Sequence, residues 1–262
     1  MLEIARYEGR KRVRGSLAFA AGNALLTGLY VWMFPTITGS VDLDEYVEAW
    51  PPALREAFGV TSLGSIEGFL AAELYAFVWV ILLGLYLAYA AASLIAGEVE
   101  RDRMDMLLSL PISRSRLVVE AFASLLVPVL ILNAITPVVV FVAVSMIGES
   151  LSTVDLLAVH VFSIPYLLTT AGIGLACSTY FDRASVAQRV AMATVFGLFL
   201  VDSVVTNTDF AALGAASPSR YYDPSAILVE GDYGLVGFVI LVVAAVALVG
   251  GSVAWFSRKD ID

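Results

Sequence analysis

Residues 97–116 read GEVERDRMDMLLSLPISRSR. This charged island lies between two apolar runs, at 70–96 and 117–147. Each run is continuously apolar rather than alternating, so it does not have the pattern of a barrel strand. Each also exceeds the roughly 20 residues that a helix needs to cross the hydrocarbon of a bilayer. Backbone groups in lipid must be satisfied within the chain, so such runs are read as spanning helices. The island is then an aqueous loop between two spans.

Working outward, the same reading gives six spans, at about 16–36, 70–96, 117–147, 156–181, 186–205 and 235–256. The composition agrees: 60% of residues are hydrophobic, 15% are charged and the mean hydropathy is +0.87. A soluble domain carries roughly a quarter charged residues. The expected fold is an all-α integral membrane protein, with residues 1–262 forming one transmembrane domain. The first apolar run follows a basic stretch, but it is long enough to span and has no small-residue cleavage site. It is therefore read as a span rather than a signal peptide.

Lys and Arg set the expected orientation. Arg6, Arg10, Lys11, Arg12 and Arg14 precede the first span, and Arg101, Arg103, Arg114 and Arg116 lie in the island. Arg183 and Arg189 flank the start of the fifth span, and Arg258 and Lys259 follow the sixth. The alternate loops hold only Arg55 and Arg220. Basic loops stay cytoplasmic, so both termini and the island are placed in the cytoplasm of a cell-membrane protein. Six spans also put both termini, and the island after the second span, on one and the same side.

The opposite side is acidic. The stretch VDLDEYVEAWPPALREAFGVTSLGSIEGF, residues 41–69, has six acids against one Arg. Pro51–Pro52 can start a short helix with Leu54 and Phe58 on one face, lying at the membrane surface. Asp223–Pro224 is a second expected helix start, with Ile227, Leu228 and Val229 dipping into the membrane edge. The net charge is −9, which fits a high-salt organism and predicts stability that falls steeply at low salt. The third span would reach some 45 Å at about 1.5 Å per residue. Pro128 and Pro137 are expected to kink it, with Asn133 and Thr136 satisfying the backbone that the proline frees.

Within the island, Asp102 can cap a helix, with Asp105 at the third helical position. Met104, Leu107, Leu108 and Leu110 make an apolar face, and Pro111 stops the helix. Ser113 then caps the third span. The pattern alone fits either a connector lying on the headgroups or a docking element for a cytoplasmic partner.

The island resembles the signature of six-span permeases of the type-2 ABC exporter family, which read like G-E-x-E-x-G-T-L-E-L-L-L-S-x-P-[IV]-S-R. Gly97, Glu98, Glu100, Asp105, Leu107, Leu108, Ser109, Pro111, Ile112, Ser113 and Arg114 match. IARYEGRKRVRG is similar to the family's N-terminal interfacial helix, placed here at 1–15. PPALREAFG and SPSRYYDPS resemble its external segments. Two positions depart: Asp102–Arg103 stand where Gly-Thr is usual, and Ala121 where a Lys is often found.

The resemblance implies a permease subunit, most simply an exporter, whose island forms a coupling helix at about 98–111. It implies separate cytoplasmic ABC ATPase subunits that carry ATP and Mg, and a second permease copy in a homodimer. The implied coupling residues are Glu98, Glu100, Asp102, Arg103, Asp105, Leu107, Leu108, Pro111 and Arg114. The chain lacks G-x-x-x-x-G-K-[ST] and therefore has no phosphate loop of its own. Other systems that fit the resemblance are permeases of copper-enzyme maturation and membrane anchors or sensors that do not transport.

Candidate path residues are Asn23 and Thr27 on the first span, Tyr86, Tyr89 and Ser93 on the second, and Asp202 on the fifth. Each set has a plainer reading as helix–helix hydrogen-bonding glue or, for Asp202, as a group facing headgroup water. Glu73 begins the second span at the interface. Cys177 and His160, the only residues of their kinds, are read as packing residues. No metal cluster and no catalytic residue is expected: H-E-x-x-H, G-x-S-x-G and paired-carboxylate patterns are absent. The chain itself is expected to hold no cofactor and to bind the lipid bilayer but no nucleic acid.

Overall fold

A computed structural model of the chain describes residues 3–40, 43–50, 63–104, 112–206 and 208–259. It has six helices long and apolar enough to cross a membrane, and no strand among the described residues. The first span is Glu3–Thr38, and the second occupies Ile66–Ala92. The third is split into Arg114–Ala123 and Leu126–Met146. The fourth is Thr153–Tyr180, the fifth Ala184–Val205 and the sixth Leu235–Arg258. The expected surface helix around Pro51, Pro52, Leu54 and Phe58 lies outside the described residues; the acidic stretch before it forms a short helix at Leu43–Glu48.

The helix expected at 1–15 is not a separate element. It continues unbroken into the first span, and its start is held by the bundle. The Ile4 and Ala5 N–H groups, unpaired at any helix start, donate to Glu120 Oε2 at 2.9 and 3.4 Å. Arg12 Nε also donates to Ser124 Oγ at 3.1 Å.

The second span changes its winding. Ser65 caps its start, accepting from Gly68 N at 3.2 Å. Residues Ala71–Leu83 then form a π-helix before the chain returns to α geometry at Gly84–Ala92. Passing from a five-residue to a four-residue ladder leaves a carbonyl without a ladder donor. Val80 O lies at that junction, and the Tyr166 hydroxyl of the fourth span donates to it at 2.8 Å.

The third span breaks at Ser124–Leu125, four residues before Pro128. A proline ring clashes with the carbonyl four residues back and offers it no N–H, so the break falls there. Pro137 sits within Leu126–Met146. The expected repair by Asn133 and Thr136 is different in detail: Asn133 Nδ2 donates to Val129 O at 2.9 Å, and Thr136 Oγ1 accepts from Asn23 Nδ2 at 3.1 Å. Asn133 thus bonds back onto its own helix, one turn before the carbonyl that Pro137 leaves free, and Thr136 ties that helix to the first span.

The fourth span is the hub, packing along the second, fifth and sixth, while the first packs mainly along the third. Small residues allow the close approach. A Cβ added at Gly174 would lie 2.2 Å from Ala88 O, so the second and fourth spans touch backbone to backbone there. The buried apolar core runs through these spans from Phe34 and Phe69 to Leu87 and Leu167. Large apolar side chains stay exposed along the fifth and sixth spans, including Leu200, Val204, Val236, Val243 and Val246. A surface this apolar exceeds what water tolerates and matches a lipid boundary.

Candidate functional site

The charged groups of the island and its neighbours gather at the face where residues 4–5 meet the third span and Lys259 meets Arg114, here termed the basal face. The chain leaves the second span at Ala92 and forms a short helix, Ala96–Val99. Ser178 of the fourth span starts it: its hydroxyl accepts from Ile95 N at 2.9 Å and Ala96 N at 3.1 Å.

Asp102 then takes a role other than the expected N-cap. Its φ is +52°, the left-handed region that favours glycine. Its N–H donates to Val99 O and the Arg103 N–H to Glu98 O, both at 3.0 Å. These are the two bonds of a Schellman motif, in which the left-handed residue closes the preceding helix. Asp102 therefore ends one helix rather than beginning the next. This gives the usual Gly at this position a physical reason, and Asp is among the few other residues that tolerate it.

Of the remaining charges in this stretch, Glu100 binds a helix end. Glu100 Oε2 accepts from Ala184 N at 3.0 Å, placing a carboxylate at the start of the fifth span. Glu98 faces Arg101 at 3.8 Å. Met104 is buried with Ile95, Leu117, Val118, Leu175 and Phe256, which pins this part of the island against the third, fourth and sixth spans. Arg103 is exposed beside it.

At the other end, Ser113 caps the third span, accepting from Arg116 N at 3.2 Å. The Arg114 guanidinium donates to Lys259 O and lies 5.9 Å over the Phe256 ring. Lys259 Nζ donates to Thr179 O at 3.0 Å and Tyr180 O at 2.9 Å, and pairs with Asp182 at 2.7 Å. The result is systematic: carboxylates sit at the starts of the first and fifth spans, and an ammonium sits at the end of the fourth. Each complements the local helix dipole. Asp105, Leu107, Leu108 and Pro111, the centre of the expected 98–111 helix, lie outside the described residues.

The candidate path residues separate into groups. Asn23 and Thr27 are buried; Asn23 Nδ2 donates to Thr136 and ties the first span to the third, while Thr27 Oγ1 has no hydrogen-bond partner among the described residues. Tyr86 is partly exposed and stacks on Phe19 at 5.4 Å, and Tyr89 is exposed on the same span. Ser93 bonds its own helix at Ala90 O, 3.1 Å away. Asp202 does not face headgroup water. It is 8% exposed, 3.7 Å from Arg220 and 3.4 Å from the Ser219 hydroxyl. Gly214 makes room, because a Cβ there would meet Asp202 Oδ1 at 2.3 Å. Asp202 thus latches the fifth span to the connection that precedes the sixth.

That connection folds back onto the bundle. Asp223 Oδ1 accepts from Ser225 N and Ala226 N at 2.8 and 3.1 Å, and starts a short helical segment whose Ile227 and Leu228 are buried. Tyr222 is buried and donates to Val159 O at 3.0 Å. His160 is buried beside Tyr75 and Trp79. Glu120 and Ser178 did not stand out in the sequence, although a lone Glu three residues into an apolar run is itself a signal, and Lys259 stood out only as one of the basic residues that set the orientation.

The sequence model of the ABC-2 family transporter protein matches residues 3–261. The chain belongs to the ABC-2 transporter family. No curated protein matches it. Membership makes this ABC-2 protein the membrane-spanning permease of an ABC transporter, which associates with an ABC ATPase. The permease subunit of this family is generally not itself catalytic.

Proposed function

We propose that this ABC-2 permease is an exporter half driven by a separate cytoplasmic ATPase through residues 97–116, and that it works as a homodimer with both termini in the cytoplasm. The observation that carries the reading is the way the island is tied at both ends. Its first stub bonds Ser178 of the fourth span and the start of the fifth. Its second stub bonds the residue after the sixth span through Arg114, while Glu120, one turn beyond Arg116, holds the start of the first. A push on a segment tied to so many helix ends moves spans rather than a slack loop. The basal face also holds nearly all the Lys and Arg, which supports its cytoplasmic placement.

In the proposed cycle, ATP closes a dimer of ATPase subunits that engages the island. Leu107 and Leu108 supply apolar contacts, with Glu98, Glu100, Asp102, Arg103, Asp105, Pro111 and Arg114 shaping and charging the surface around them. ATP and Mg are held by the partner. The spans tilt as bodies, and a path between two permease copies changes the side to which it opens. Tyr86 and Tyr89, which the single chain leaves partly exposed, suit the wall of such a path.

The test is co-purification with the ATPase. The Leu107→Asp/Leu108→Asp variant is expected to insert normally and to lose the ATPase. Retention of the ATPase at wild-type levels would remove the docking assignment.

A further inference from the structure

We propose that the membrane domain holds bound water in an enclosed polar box between the second and fourth spans, at His160 Nε2 and Tyr75 OH. Both side chains are buried, Tyr75 at 0% and His160 at 2% exposure. Neither named atom has a hydrogen-bond partner among the described residues. The two rings meet edge to face with centroids 5.3 Å apart, and Trp79 closes on the same imidazole at 5.4 Å.

The chemistry selects the occupant. His160 Nδ1 lies 2.8 Å from Leu156 O. A carbonyl only accepts, so Nδ1 carries a proton, and in the neutral ring Nε2 is left as an acceptor. The Tyr75 hydroxyl both donates and accepts. A molecule that donates to Nε2 and bonds a phenol, in a box with no charged side chain among these contacts, is water. Buried water serves polar groups that the chain leaves unmatched.

Other buried atoms without a hydrogen-bond partner among the described residues, Asn23 Oδ1, Thr27 Oγ1 and Asp202 Oδ1, lie on the first and fifth spans, whereas here two from different spans belong to rings in contact. Tyr166 and Tyr222 are equally enclosed, yet their hydroxyls donate to Val80 O and Val159 O. Trp79 Nε1 donates to Ser163 Oγ at 3.2 Å, and that hydroxyl lies 2.9 Å from Asn133 Oδ1 on the third span. The box thus sits on the polar seam where the second and fourth spans meet the third. Tyr75 and Trp79 both belong to the π-helical segment, a winding that often marks functional positions.

X-ray hydroxyl-radical footprinting of the permease in lipid nanodiscs tests this, because buried side chains are oxidised only beside bound water. Tyr75 is expected to be modified several-fold faster than Tyr166 and Tyr222, which are the same residue type, as enclosed, and already paired. Equal protection of all three would overturn the proposal. In His160→Leu, labelling of Tyr75 is expected to fall towards that of Tyr166. Undiminished labelling would overturn the shared site. No ATPase is needed, so the outcome is independent of the transport reading.

Discussion

Asp102 shows how a single residue can carry a family difference into the backbone. At φ +52° it closes a Schellman turn in which glycine pays no steric cost and alanine does. Thermal unfolding in detergent should rank Asp102→Gly equal to or above wild type, by up to about 1 kcal/mol, and Asp102→Ala below both. A stabilised alanine variant would contradict the left-handed assignment. Glu120 offers a second residue-scale test. It is buried, accepts two N–H groups of the first span and pairs with Arg116 Nε at 2.6 Å. Glu120→Ala strands those donors and should cost roughly 1–3 kcal/mol. Glu120→Gln, which keeps an acceptor, should cost less. Equal losses would mean that the ion pair, not the cap, matters.

At the scale of elements, the helix ends on the basal face are held by side chains from elsewhere in the chain. Glu100 reaches the start of the fifth span, and Lys259 the end of the fourth. Glu100→Ala should therefore raise hydrogen exchange at Ala184 and the next few amides while leaving the middle of that span protected. Protection unchanged at Ala184 would remove the capping role. The third span and the island show what sequence conveys about elements. Pro128 announced a break, but the break falls at Ser124–Leu125 because the clash is with the carbonyl four residues back. The π-helix at Ala71–Leu83 was not legible at all: in a run that is apolar on every side, the pattern carries no phase from which winding could be read. The caps were hidden for another reason. Glu120 and Ile4 are 116 residues apart, and Arg114 and Lys259 are 145 apart, so no local motif joins them.

On the scale of the whole molecule, six spans follow from apolar length, and the basic residues mark one face of the bundle. The fourth span serves as hub to the second, fifth and sixth, and Gly174 sets its contact with the second. Gly174→Leu should prevent that contact and abolish a stable fold, seen as loss of monodisperse protein in detergent. A well-folded leucine variant would contradict the packing. The island joins the second span to the third, and its stubs bond the ends of several others. Its role as the place where an ATPase drives the permease is therefore the central claim. The most direct measurement is ATP hydrolysis by the partner ATPase in proteoliposomes containing either this chain or its Leu107→Asp/Leu108→Asp variant. Hydrolysis that rises with the wild-type permease and stays at the free-ATPase rate with the variant is the predicted result. A rate that ignores the permease, or responds equally to both forms, would contradict it.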